Sequence, residues 1–178
     1  MGDAVPFGSR DYLIFLALLA LGRGMDFLST WLGTPNLVLE ANPLAKWMRW
    51  RGAVIVNVVL VIVLARWLLP TVIVTTTSLL VAARNFQSVW LMRSLGEEGY
   101  RCWYTERVRD GSIALLVFCL IAQTVLVGSI GAALMIFSES AGQVALVPFG
   151  IGMGVVTYAV AVLFYSLLSL WRLRRALR

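Results

Sequence analysis

Three ionisable side chains stand inside otherwise apolar stretches of this sequence: Arg23, Asp26 and Arg84. A charge within a bilayer-spanning helix costs at least ~2.5–3.5 kcal/mol on insertion scales, so each of the three demands a partner or a role. Arg23 and Asp26 are three residues apart and can neutralise one another on one helix face. Depth, reckoned at about 1.5 Å per residue, brings Arg84 to the level of Asp26 and Asn57 when helices pack side by side. A contact between Asp26 and Arg84 is therefore expected, against the alternative in which Arg23 holds Asp26 and Arg84 snorkels towards the headgroups.

The candidate ligand-binding set is Arg23, Asp26, Thr30, Glu40, Asn42, Asn57, Arg84 and Asn85, with Ser88, Tyr165 and Ser166 at similar depth. Gathered around one cavity open to the cytoplasm, these groups would receive a small polar solute or cation. The plainer use of Asn57, Asn85 and Gln123 is as interhelical hydrogen bonds, each worth about 0.6–2 kcal/mol. Asn42 before Pro43 reads as a helix cap followed by proline at the first helical position, while Glu40 stays open, the sharper reading being a cytoplasmic rim carboxylate that faces Arg23 or Arg84.

Much other chemistry is excluded by residue type. There is no histidine and there are two cysteines, Cys102 and Cys119, so the chain has no four-ligand zinc site and no Ser-His or Cys-His pair. No catalytic residue, metal site or cofactor is assigned. One cysteine falls in an apolar span and the other in a loop placed in the cytoplasm, and both are expected to be free thiols.

The elements that must position these residues are read from hydropathy. Of 178 residues, 60% are hydrophobic and 13% charged, and the mean hydropathy is +0.86, far from the soluble average of about a quarter charged. A spanning helix takes about 20 apolar residues. The pattern predicts an all-α membrane protein, a single domain over 1–178, with spans at 12–32, 52–69, 71–92, 112–137 and 144–171. The 52–92 stretch is divided by Arg66-Trp67-Leu68-Leu69-Pro70, a charge, an interfacial tryptophan and a helix-starting proline. One or two short amphipathic helices, at 43–51 and 97–109, are predicted to lie in the interface: Leu44, Trp47 and Met48 recur at helical spacing in the first segment, and Tyr100, Trp103, Tyr104 and Val108 in the second.

Orientation follows from the basic residues. In the five-span arrangement Lys46, Arg49, Arg51, Arg93, Arg101, Arg107, Arg109, Arg172, Arg174, Arg175 and Arg178 share one side, while Arg10 and Arg66 occupy the other. The first side is cytoplasmic by the positive-inside rule, which puts the N-terminus outside and the C-terminus inside. The net charge of +6 is then accounted for by anionic lipid headgroups, without nucleic acid. Gly150 and Gly154 form a G-x-x-x-G in the fifth span, and Gly128 and Gly131 a small-residue face in the fourth, so close helix packing through these four is expected.

Asp26-Phe27-Leu28-Ser29-Thr30 followed by Glu40-Ala41-Asn42-Pro43 resembles the signature Asp, Ser/Thr-Thr and Glu-x-Asn-Pro of a family of small bacterial and archaeal polytopic membrane proteins of unknown function. The resemblance covers about the first half of the chain. It implies a bacterial or archaeal cytoplasmic membrane protein and marks Asp26, Thr30, Glu40 and Asn42, with no activity attached.

Three functions fit these residues. The first is an accessory or structural subunit of a larger membrane complex, or a homo-oligomer. The second is a binding or transport module for a small polar solute or cation. The third is an intramembrane lipid-processing enzyme with Asp26 as base and Arg23 or Arg84 on an anionic headgroup. The lack of histidine and of a second carboxylate of clear role places the enzyme last.

Overall fold

The computed structural model describes residues 4–40, 43–140 and 143–176. Among these, five helices are long and apolar enough to cross a membrane, and the chain is an all-helical integral membrane protein. They are α1 (Arg10–Gly33), α2 (Pro43–Leu64), α3 (Leu68–Asp110), α4 (Ile113–Ile136) and α5 (Leu146–Ala176). A two-residue antiparallel ladder, β1 (Glu139–Ser140) against β2 (Gln143–Val144), closes the hairpin between α4 and α5.

Helix ends sit where the side chains can satisfy them. Ser9 caps α1, its Oγ accepting from the Tyr12 N–H at 3.2 Å, and Ser112 caps α4 by accepting from the Leu115 N–H at 3.3 Å. Such hydroxyls supply partners for amides that the first helical turn leaves unpaired. At the far end of α1, the buried Thr34 accepts from the Leu39 N–H at 3.1 Å, turning the chain towards α2.

The division between the second and third spans lies earlier than the hydropathy pattern indicates. α2 ends at Leu64 and α3 begins at Leu68, so Ala65, Arg66 and Trp67 make the turn and Leu68, Leu69 and Pro70 belong to α3. Pro70 falls in the first turn, where no intrahelical N–H is needed, so the ring does not mark the boundary. Residues 43–51 and the second span form one helical run, broken at Arg49 by a backbone of φ 54°, ψ −176°. In the same way α3 continues from its membrane portion into the 97–110 tail through Gly96, at φ 71°, ψ 165°.

α3 is the central helix. α1 and α5 both pack along it, α4 packs on α5, and α2 touches α1 through only a few residues. Small residues make the close approach along α3: Thr71, Thr75, Ser78 and Ala82 recur on one stripe and are all buried. Two sets of contacts tie the ends. At one end Tyr12, Leu19 and Ala65 form a buried cluster, the Val5 N–H donates to the Arg66 carbonyl at 2.8 Å, and Arg66 stacks over Phe7 at 4.7 Å. At the other, the Asn36 N–H donates to Glu97 Oε1 at 2.9 Å and Gly33 rests on Met92 and Val89.

Candidate functional site

The charged groups of α1 sit on the face turned towards α3. Gly22 permits this, because a Cβ there would lie 3.1 Å from the Thr75 Cα. The next residue, Arg23, then reaches three elements at once. Its Nε donates to Asn57 Oδ1 of α2 at 2.6 Å, and its Nη1 donates to Asp26 Oδ2 at 2.9 Å and to Ser78 Oγ of α3 at 3.1 Å. Asn57 is itself held by a bond from its Nδ2 to the Ala53 carbonyl, 2.8 Å. Ser78 is 2% exposed, so the bond to it is made inside the protein and not in competition with water. A planar guanidinium suits this task, since it offers several donors in fixed directions.

One turn along, a second group of polar side chains joins α1 to α3. Asn85 Nδ2 donates to Ser29 Oγ at 3.1 Å and to Thr30 Oγ1 at 3.4 Å, and Ser29, fully buried, donates to the Asp26 carbonyl at 2.9 Å. Arg23, Asp26, Thr30, Asn57 and Asn85 thus belong to one hydrogen-bonded network. The Glu40 carboxylate interacts electrostatically with Asp26, which places it beside this network. Asn42 lies outside the described residues.

The expected contact between Asp26 and Arg84 is not formed. Arg23 holds the Asp26 carboxylate, and Arg84 Nη2 donates instead to Ser166 Oγ of α5 at 3.4 Å. Helical geometry explains the correction. Adjacent residues point about 100° apart, so with Asn85 aimed at α1, Arg84 is turned towards α5. Equal depth therefore did not mean one cavity: the polar residues divide between two faces of α3.

Arg84 has a setting of its own. The tail beyond Gly96 brings the Tyr100 hydroxyl against Ser88, and the Tyr100 and Tyr104 hydroxyls lie within the electrostatic reach of Arg84. Burial pushes both phenols above their ordinary value, so they remain protonated donors at neutral pH. Among the described residues Arg84 forms no ion pair.

Glycine packing is more selective than the spacing indicates. A Cβ on Gly131 would meet the Gly152 carbonyl at 2.7 Å, one on Gly150 would meet Val72 at 3.0 Å, and one on Gly154 would meet Thr76 at 2.7 Å. Gly131 therefore joins α4 to α5, while Gly150 and Gly154 join α5 to α3, where Thr77 Oγ1 also donates to the Gly154 carbonyl at 3.0 Å. A Cβ on Gly128 would meet nothing within 4 Å, so no close helix approach depends on this glycine. It stands three residues from Gly131 and so points about 60° away, off the α5 contact.

Ser78 and Gly152 are the residues that sequence reasoning did not single out. The signal for Ser78 was the stripe Thr71, Thr75, Ser78, Ala82 at helical spacing; for Gly152 it was the middle of the G-x-G-x-G run. A cleft of about 300 Å³ opens beside the network, with Arg23, Ser78 and Thr157 at its polar part and Leu60, Val61 and Ile73 among its apolar walls. Among the described residues no group of acidic residues or cysteines could hold a metal ion. Comparison with family models of known proteins, with curated proteins and with solved structures gives no match.

Proposed function

We propose that the protein is an accessory or structural subunit of a larger membrane assembly in the bacterial or archaeal cytoplasmic membrane, with its N-terminus outside and its C-terminus in the cytoplasm. The observation that carries this reading is the use made of Arg23. Three of its donors are engaged by Asn57, Asp26 and Ser78, so this intramembrane charge ties α1, α2 and α3 together. A group so committed contributes to packing and is poorly placed to exchange partners with a solute.

The outer helices support the same reading. α4 has a mean hydropathy of 2.5 over its most apolar 18 residues and packs chiefly on α5. Phe118, Leu126 and Ile130 project away from the bundle on the remainder, a surface suited to another transmembrane helix.

Photo-crosslinkers installed at Phe118, Leu126 and Ile130 in native membranes test the proposal. A single discrete protein adduct, common to the three positions, is expected. Labelling of lipid alone at all three would overturn it. Reporter fusions at positions 141 and 178 test the orientation, with 141 expected outside and 178 inside.

One observation favours a second reading, a binding module: the 300 Å³ cleft reaches Arg23. Solute binding by the purified protein that is abolished by Asp26→Asn, with expression unchanged, would establish this reading in place of the first.

A further inference from the structure

The tail of α3 carries Tyr100, Trp103, Tyr104, Arg107 and Val108 at helical spacing, one face of aromatic and basic character. Gly96 redirects it, and the bond from the Asn36 N–H to Glu97 fixes where it starts. Tyr100 stacks on Tyr104 with centroids 6.4 Å apart and planes 10° apart, and Trp103 lies 5.6 Å from Tyr100. At its far end Val108 is buried, and Gly111 and Ser112 turn the chain directly into α4.

Between this aromatic face and the first two turns of α4 lies a cavity of about 500 Å³, well within the size range of small-molecule sites. Tyr100, Trp103, Tyr104 and Arg107 line it from the tail, and Leu115, Leu116 and Cys119 line it from α4, one and two turns beyond the Ser112 cap. From Ser112 to Cys119 the helix rises about 10 Å, a passage from headgroup to hydrocarbon in a helix that starts at the membrane border.

Charge narrows the occupant further. No carboxylate lines the cavity, and Arg107 forms no ion pair among the described residues. Arg84, also without an ion pair among the described residues, lies within the electrostatic reach of the two tyrosine hydroxyls. A guanidinium recognises a phosphate oxygen, and it repels the ammonium of a zwitterionic headgroup. Aromatic rings placed at the border are also suited to the glycerol level of a lipid.

We propose that this cavity is a binding site for one anionic phospholipid, its phosphate held by Arg107 and the start of one acyl chain laid on Leu115, Leu116 and Cys119. The site is separate from the Arg23 network and does not rest on the subunit reading.

Native mass spectrometry of the full chain, titrated with phosphatidylglycerol and with phosphatidylcholine, tests it. One phosphatidylglycerol is expected to be retained in preference, and Arg107→Gln is expected to weaken it about tenfold through loss of a charged hydrogen bond. Arg109→Gln, on the same tail but outside the cavity lining, is expected to leave the affinity unchanged. Cys119→Trp, which fills the apolar floor without altering charge, is expected to abolish retention and keeps the test decisive if Arg107→Gln fails to fold. Equal retention of phosphatidylcholine would overturn the proposal. So would an Arg109→Gln effect as large as that of Arg107→Gln, which would indicate general surface attraction, or displacement of the lipid by inorganic phosphate at equal concentration.

Discussion

Arg23 and Asn57 meet at 2.6 Å, Nε to Oδ1, and this is the polar link that joins α2 to α1. α2 otherwise meets α1 through few residues, and the Tyr12 hydroxyl on the Ile62 carbonyl, 3.3 Å, is its other side-chain bond to that helix. Asn57→Leu is expected to lower stability in detergent by about 0.6–2 kcal/mol, the worth of an interhelical hydrogen bond. Thermal unfolding followed at a reporter in α2 measures it. An unchanged midpoint would show that α2 is held by something other than this bond.

Removing Arg23 has a larger consequence, because Asp26 is then left inside the protein without its partner. Arg23→Leu is expected to cost about 3–5 kcal/mol, the loss characteristic of breaking a buried pair at one end. Arg23→Leu with Asp26→Leu should recover most of it, since no uncompensated charge remains. A double variant as unstable as Arg23→Leu alone would locate the cost in the bonds to Asn57 and Ser78 instead.

The glycines separate into two classes that substitution distinguishes. A Cβ on Gly152 would stand 2.5 Å from the Gly131 carbonyl and 2.7 Å from Met135 Cγ, so Gly152→Ala forces α4 and α5 apart at an expected cost of about 1–3 kcal/mol. Gly128→Ala meets nothing within 4 Å and should be neutral or stabilise by up to ~1 kcal/mol through helix propensity. Equal midpoints for the two variants would contradict the packing.

Two backbone positions make opposite predictions. Gly96 bends α3 at φ 71°, a conformation that a Cβ disfavours by about 1–2 kcal/mol, so Gly96→Ala should destabilise the protein by that amount. Arg49 holds φ 54°, ψ −176° without being glycine, and Arg49→Gly should relieve about 1 kcal/mol of strain. Chemical unfolding of the two variants beside Gly99→Ala, whose Cβ would make only ordinary contact at 3.6 Å, isolates the conformational effect.

Thr75 is buried between α1 and α3, and its Oγ1 has no hydrogen-bond partner, whereas its methyl faces Gly22. Thr75→Val keeps the shape and removes the unsatisfied hydroxyl, so a gain of about 1 kcal/mol is expected. Thr75→Ser, which keeps the hydroxyl and removes the methyl, should be destabilising. The reverse order of midpoints would mean that the hydroxyl is satisfied.

How far the residues alone reach can be judged from particular positions. The five apolar helices were legible because a helix facing lipid must be apolar over about 20 residues, and nothing but sequence length and hydropathy enters that requirement. Boundaries were less so: the hydroxyl caps at Ser9 and Ser112 were not read from the sequence. The boundary at Pro70 was misplaced, since proline is accommodated in a first helical turn as readily as before it. The membership of the polar network was also legible, because Arg23, Asp26, Asn57 and Asn85 are costly in lipid and must find one another at a shared depth.

Which of them meet was decided by tertiary structure. Depth is a property of position along a helix, but contact depends on the rotation of each helix about its axis, which the packing of small residues sets. Gly22 against Thr75 turns α1 so that Arg23 faces Asn57 and Ser78, and Gly150 and Gly154 set α5 against α3 so that Ser166 receives Arg84. The polar residues and their common level thus follow from composition and spacing alone. The assignment of Asp26 to Arg23, and of Arg84 to α5 and the folded tail, follows from helix rotation, which van der Waals fit between facing surfaces determines and one-dimensional spacing does not contain.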